Sequence, residues 1–282
     1  MDDLDPNLPG GDPDTPLQEA EAAIPVRALR YCGVCGSAWN VDWDFCHTCA
    51  DRAARKSQHP EMTVKQEERS IVKVVALYAS LLGISAISML VAGAQGGELA
   101  LFGLSVEEIA FAVVVLLWSA ASYSLLLGPL LSIGPWRWLL SAPVMGLGTF
   151  IVASLAVLAL QRGLGVDDLR YLEVFEDAGY GLGLATVFIA VQPAIFEELA
   201  FRGVIYGTLR QVTGSTEAIL VSAAMFAILH LAVPSFLHLF LMGVVLAWMR
   251  ERSGSLYPGM VLHFTHNFLC LVQEQSGVVM PW

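Results

Sequence analysis

Seven residues in three short stretches carry side chains that could do chemistry together. They are Glu197, Glu198 and Arg202 in EELAFR, Phe226 and His230 in FAILH, and His263 and Asn267 in HFTHN. A carboxylate and an imidazole can hold and deprotonate a water molecule. Imidazole and amide N–H groups can donate to a developing oxyanion. No serine or cysteine stands beside a base as a nucleophile would, so the set reads as acyl hydrolysis by an activated water. All three stretches lie in strongly apolar surroundings. A charged side chain at the middle of a membrane helix costs roughly 2.5–3.5 kcal/mol. Polar groups on three separate apolar segments are therefore expected to face one another rather than lipid, inside a helical bundle.

The spacings refine this. Glu198 and Arg202 are four residues apart, share a helix face and can pair. Glu197 points about 100° away, toward a different partner. Taken alone, the cluster could equally mark a helix end entering water. Residues 197–212 can run on as helix to a turn at 212–215, from which a second helix returns through 216–233. Two antiparallel helices sharing that turn bring Glu197 and His230 to similar depth. Phe226, one turn before His230, would pack beside the site and exclude water. His263 and Asn267 again share a face. His238 and His266 read as interhelical hydrogen-bonding residues, with His266 close enough to His263 to join the margin of the site. A glutamate and two histidines are also possible metal ligands. HExxH spacing is absent, and a catalytic metal stays open at this point.

The elements that must position these residues follow from composition. Of 282 residues, 56% are hydrophobic and 15% charged, with a mean hydropathy of +0.62. That balance indicates an all-α, polytopic membrane bundle rather than a soluble globule. The net charge of −11 argues against nucleic acid as a partner. Charge-free runs at 74–97, 109–136, 138–161, 178–196, 218–249 and 253–273 mark the spans. The fifth is too long for one simple helix and is split at Pro234, giving about seven spans over 71–275. With the N-terminus in the cytoplasm, alternation leaves only Arg162 and Arg170 outside. The expected location is thus a cell membrane, taken as bacterial, with the C-terminus outside. The loop 163–180 carries Val166, Leu169, Leu172 and Phe175 at helical spacing, which suggests a short amphipathic helix at the interface.

Ahead of the bundle, residues 1–26 form an acidic, proline-rich tail expected to be disordered, and 51–70 a polar linker. Between them, in 27–50, Cys32 and Cys35 are followed by Cys46 and Cys49. Two CxxC knuckles supply four thiolates to a tetrahedral structural zinc, which would provide much of the folding energy of so short a segment. Two disulfides or a redox pair are the alternatives; a cytoplasmic N-terminus disfavours stable disulfides. Cys270, in the last span, reads as a small core residue.

Over about residues 181–275, through EELAFRG at 197–203, FAILH at 226–230 and HFTHN at 263–267, the chain resembles the CAAX-protease and bacteriocin-processing family of intramembrane endopeptidases. The resemblance implies an all-helical membrane protease akin to the Ras-converting prenyl endopeptidases. It implies Glu197 as general base acting with His230 on the attacking water, His263 and Asn267 as oxyanion hole, and Glu198 with Arg202 as a supporting pair. Family members have been described both as metalloproteases and as metal-free glutamate proteases; the metal-free form is the one preferred here. The substrate would be a membrane-associated protein or peptide, with no prenyl requirement carried over. Two other readings compete. A non-catalytic scaffold or immunity-type protein would use the zinc ribbon to bind a partner. A proton-coupled transporter would use the buried glutamate and histidine as a relay.

Overall fold

The computed structural model describes residues 29–31, 38–40, 64–92, 98–164 and 170–277. The expected tail, the four cysteines of the proposed ribbon and the linker up to residue 63 lie outside these residues. Within 27–50, two short strands pair antiparallel, β1 (Leu29–Tyr31) with β2 (Ala38–Asn40), Arg30 opposite Trp39.

The rest is helical: α1 (Val64–Ala92), α2 (Glu98–Ala121), α3 (Tyr123–Leu131), α4 (Trp136–Leu164), α5 (Tyr171–Asp177), α6 (Leu182–Val212), α7 (Ser215–Leu229), α8 (Phe236–Ser253) and α9 (Tyr257–Ser276). Helix α1 begins at Val64, so the last residues of the expected linker are already helical. The outer faces are apolar, with Leu90, Leu117, Leu131, Val144 and Leu155 exposed, while Glu198, Arg202 and His263 are buried. This inversion of the soluble pattern suits a hydrocarbon solvent.

Five helical stretches among the described residues are long and apolar enough to cross a membrane: Val64–Leu90, Leu101–Ala121, Trp136–Gly163, Leu182–Val212 and Val233–Ser253. This corrects the expected count of seven. Helix α7 has 15 residues, which rise only about 22 Å against a hydrocarbon core of about 30 Å. Helix α9 carries His263, His266, Asn267, Gln273 and Glu274, whose polarity removes it from the same class. The break expected near Pro234 is present: α7 ends at Leu229, and a single 3₁₀ turn, Val233–Ser235, leads into α8. Leu231, just past His230, adopts the left-handed conformation at φ 52°, which a non-glycine residue rarely takes.

Helix α6 is the centre of the molecule. Of its most apolar window 44% is buried, against 17% for α1, α2 and α4. Phe201, Val204 and Ile205 of α6 join Leu77 and Leu81 of α1, Val115 of α2 and Phe226 of α7 in one core. The helix carries two π-helical segments, Thr186–Val191 and Glu198–Ile205. Pro193, which has no N–H to offer the preceding turn, follows the first. Helix α9 packs on α4, where a Cβ on Gly146 would lie 2.8 Å from the Leu262 carbonyl oxygen, so only glycine permits that approach.

The amphipathic segment expected at the interface is α5, but it is docked on the bundle. Leu172 and Phe175 pack with Leu101, Ala185 and Leu271. The Leu172 and Glu173 amides donate to Glu274 Oε1 of α9 at 2.8 and 3.3 Å, which caps the helix from a distant element. Val166 and Leu169 lie outside the described residues.

Candidate active site

The helix that carries EELAFR does not end in water there. Glu197 lies midway between Leu182 and Val212 of the continuous α6. Both carboxylates are therefore at mid-helix, where only protein partners can solvate them.

Glu198 is the hub of the buried charge. Its side chain is fully buried, and Oε1 forms an ion pair with Arg202 Nη1 at 2.9 Å. The same oxygen accepts from His263 Nδ1 at 3.3 Å. Its other oxygen points at α9, where a Cβ on Gly259 would stand 2.8 Å from it; glycine is what leaves room for the carboxylate. Arg202 donates from Nη2 to the Gly243 carbonyl of α8 at 3.3 Å, and its guanidinium lies 4.4 Å over the Phe226 ring. A carboxylate contact, a carbonyl and a ring face thus compensate a cation that is 1% exposed.

Glu197 stands apart from this network. Its Oε2 is buried and without a hydrogen-bond partner, 3.8 Å from His263 Nε2. That separation is too long for a hydrogen bond. The imidazole of His263 therefore lies between the two glutamates, Nδ1 toward Glu198 and Nε2 toward Glu197.

His230 approaches from α7. Its Nδ1 lies 2.8 Å from the Phe226 carbonyl oxygen. A carbonyl only accepts, so Nδ1 bears the proton and the exposed ring presents Nε2 as an acceptor. The fully buried Phe226 packs edge-on against His230 at 4.9 Å, His263 at 5.9 Å and Phe201 at 5.3 Å. The aromatic ring is the wall that the two imidazoles share. His230 makes no ion pair with Glu197; the nearest imidazole to that carboxylate is His263. Asn267 Nδ2 donates to the Ile189 carbonyl at 2.8 Å, inside the first π segment of α6, which leaves one amide N–H uncommitted.

His266 donates or accepts at Thr149 Oγ1 of α4, 3.0 Å away, as an interhelical residue should. His238 does not fill that role: its Nδ1 is buried without a partner. Cys270 is exposed on α9 rather than packed in a core. Among the described residues, no three of His, Cys, Asp and Glu converge as a metal site would require.

Sequence reasoning missed Glu108. It borders the charge-free run that begins at residue 109, but α2 starts at Glu98, so Glu108 is well inside that helix. Gln192 Nε2 of α6 donates to its backbone carbonyl at 2.9 Å.

No curated protein and no solved structure matches the chain. Residues 180–269, which span α6 to α9 and every residue of this cluster except Glu108, match the family model of the type II CAAX prenyl endopeptidases, Rce1-like. Over that segment the chain is similar to the CAAX-type proteases, a hydrolase family, and the segment lies in a bundle of apolar helices.

Proposed function

We propose that the chain is an intramembrane endopeptidase that cleaves a membrane-associated protein or peptide with a water activated at Glu197. The observation that carries this reading is a mid-helix carboxylate with an unpartnered oxygen, beside an imidazole that a second, charge-paired carboxylate orients. Glu197 is the general base, and His230 presents Nε2 to the same water. The water oxygen bonds to the scissile carbonyl carbon as its proton passes to Glu197. His263 and Asn267 donate to the oxyanion. For His263 that means donation from Nε2, the ring nitrogen on the Glu197 side. When the C–N bond breaks, the proton on Glu197 leaves with the amine. Glu198, Arg202 and Phe226 hold the imidazoles in place. Every step uses the chain's own side chains, and a metal-free site is the form proposed.

The four cysteines are proposed to bind a structural zinc, for which four thiolates at CxxC spacing are a suitable donor set. The pairing of β1 with β2 on either side of residues 32–37 is consistent with a ribbon knuckle. The zinc ribbon is offered as a docking element for a protein partner. The proposed location is a bacterial cell membrane, N-terminus in the cytoplasm and C-terminus outside, on the distribution of Lys and Arg.

The test is cleavage of a quenched membrane-peptide library by purified wild type and Glu197→Ala, with zinc counted per chain. Cleavage by wild type alone supports the protease. One zinc per chain, lost in a Cys32→Ser, Cys35→Ser variant that still cleaves, assigns the metal to the ribbon. If the ribbon variant loses biological function while Glu197→Ala, His230→Ala and His263→Ala keep it, the scaffold reading replaces this one.

A further inference from the structure

At one end of the bundle two indole rings are flanked by two guanidinium groups. Helix α4 starts there at Trp136, and α8 ends there at Ser253. The two ends are pressed together, since a Cβ on Gly134 would lie 2.7 Å from the Ser253 carbonyl oxygen. Trp138 and Trp248 pack edge to face across this contact, with ring centroids 5.1 Å apart. The Arg137 guanidinium lies 5.9 Å from the centre of the Trp138 ring, and that of Arg252 lies 5.9 Å from the centre of the Trp248 ring. Both are within the reach of a cation–π attraction, about 6 Å.

The charge at this contact is unbalanced. Arg170, Arg202 and Arg210 are each paired with a glutamate. Arg137 and Arg252 are exposed and make no ion pair among the described residues. The acid next to Arg252 in sequence, Glu251, is committed elsewhere: it accepts from Tyr206, Arg210 and Ser215 of α6 and α7. Arg252 points about 100° away from it, toward the Trp248 ring.

An exposed apolar strip leads away from the two cations. Leu140 and Val144 share the face of α4 that carries Arg137, and Leu241 and Trp248 share the face of α8 that carries Arg252; all four are exposed. Both helices are long and apolar enough to cross a membrane. Their joined end therefore lies where hydrocarbon gives way to headgroups, the depth that tryptophan favours.

We infer that the joined ends of α4 and α8 bind the headgroup phosphate of an anionic phospholipid between Arg137 and Arg252, with its acyl chains along Leu140, Val144 and Leu241. A guanidinium offers paired N–H donors to phosphate oxygens, and the indole ring beneath each one holds it in place. Basic sites between membrane helices take such headgroups. A zwitterionic headgroup brings a cation of its own to two unpaired arginines, so the site selects lipids of net negative charge. An occupant ties α4 to α8, the helix whose Gly243 carbonyl accepts from Arg202, and so stabilises the folded bundle.

The experiment titrates the full-length protein in neutral detergent with phosphatidylglycerol, phosphatidylcholine or inorganic phosphate. Lipid retained on the protein is measured by native mass spectrometry, and the unfolding midpoint is recorded alongside. Wild type is compared with Arg137→Gln, Arg252→Gln, the double variant, and Arg162→Gln at the opposite end of α4. Phosphatidylglycerol should bind wild type more tightly than phosphatidylcholine and raise the midpoint. Each single variant at the site should weaken its binding about fivefold and the double variant about thirtyfold, with Arg162→Gln unchanged. Wild-type binding of phosphatidylglycerol by the folded double variant overturns the inference, and so does equal affinity of wild type for phosphatidylcholine. An equal rise in midpoint with inorganic phosphate overturns it too, because the ligand is then a free anion. If the double variant fails to fold, the two single variants decide by the same comparison.

Discussion

The two adjacent glutamates have different environments, and the difference is physical rather than positional. Oε2 of each glutamate lacks a hydrogen-bond partner, but Glu198 is tied through Oε1 to Arg202 and His263 and packed against Gly259, whereas Glu197 faces the His263 imidazole at 3.8 Å. Arg202→Ala would leave Glu198 as an uncompensated buried charge, a loss of about 3–5 kcal/mol. A large fall in the unfolding midpoint in detergent checks this. Arg202→Lys should recover only part, because an ammonium cannot reach the carboxylate, the Gly243 carbonyl and the Phe226 ring at once. Gly259→Ala tests the same carboxylate from the other side. Its methyl group displaces Glu198 and should cost about 1–3 kcal/mol of stability as overpacking, with a loss of cleavage larger than the stability change explains. The sequence made the Glu198–Arg202 pair legible, because four-residue spacing puts both on one face. It could not show that His263 rather than His230 lies nearest Glu197, since that depends on how α7 and α9 rotate about their axes. Glu108 was hidden because a charge beside an apolar run looks the same whether the helix ends there or continues.

Among the elements, α6 carries the most information. Its continuity from Leu182 to Val212 turns what could have been a helix end into a buried mid-helix site. Its π segments are where the site meets it: Glu198 and Arg202 sit in one, and the Ile189 carbonyl that accepts from Asn267 sits in the other. Such widened turns recur at functional positions, and nothing in apolar periodicity announces them. The turn at 212–215 and the antiparallel return of α7 were readable from Gly214 and the surrounding polar residues. The docking of α5 was not, because its cap comes from Glu274, about a hundred residues later. Glu274→Ala should uncap α5 at a cost of about 1 kcal/mol. Faster amide hydrogen exchange at Leu172 and Glu173, with exchange in α6 unchanged, is the expected observation.

At the scale of the molecule, an apolar exterior surrounds the buried polar cluster of the candidate site. The membrane reading and the grouping of three motifs followed from the cost of charge in hydrocarbon. The number of spans did not, because α7 is short and α9 is polar for the same reason: both serve the site. The matched segment, residues 180–269, holds α6 to α8 and α9 as far as residue 269, while α1 and α2 supply the surface on which α6 is packed. A site built this way should cleave only while the helices stay associated, so activity in detergent should disappear together with the unfolding transition. The central claim, water activation by Glu197, is tested most directly by the single-turnover cleavage rate of Glu197→Gln, which keeps the shape of the side chain and removes the base. The account predicts a fall of about 10²–10⁴-fold at an unchanged unfolding temperature. A folded Glu197→Gln protein that cleaves at the wild-type rate would contradict it.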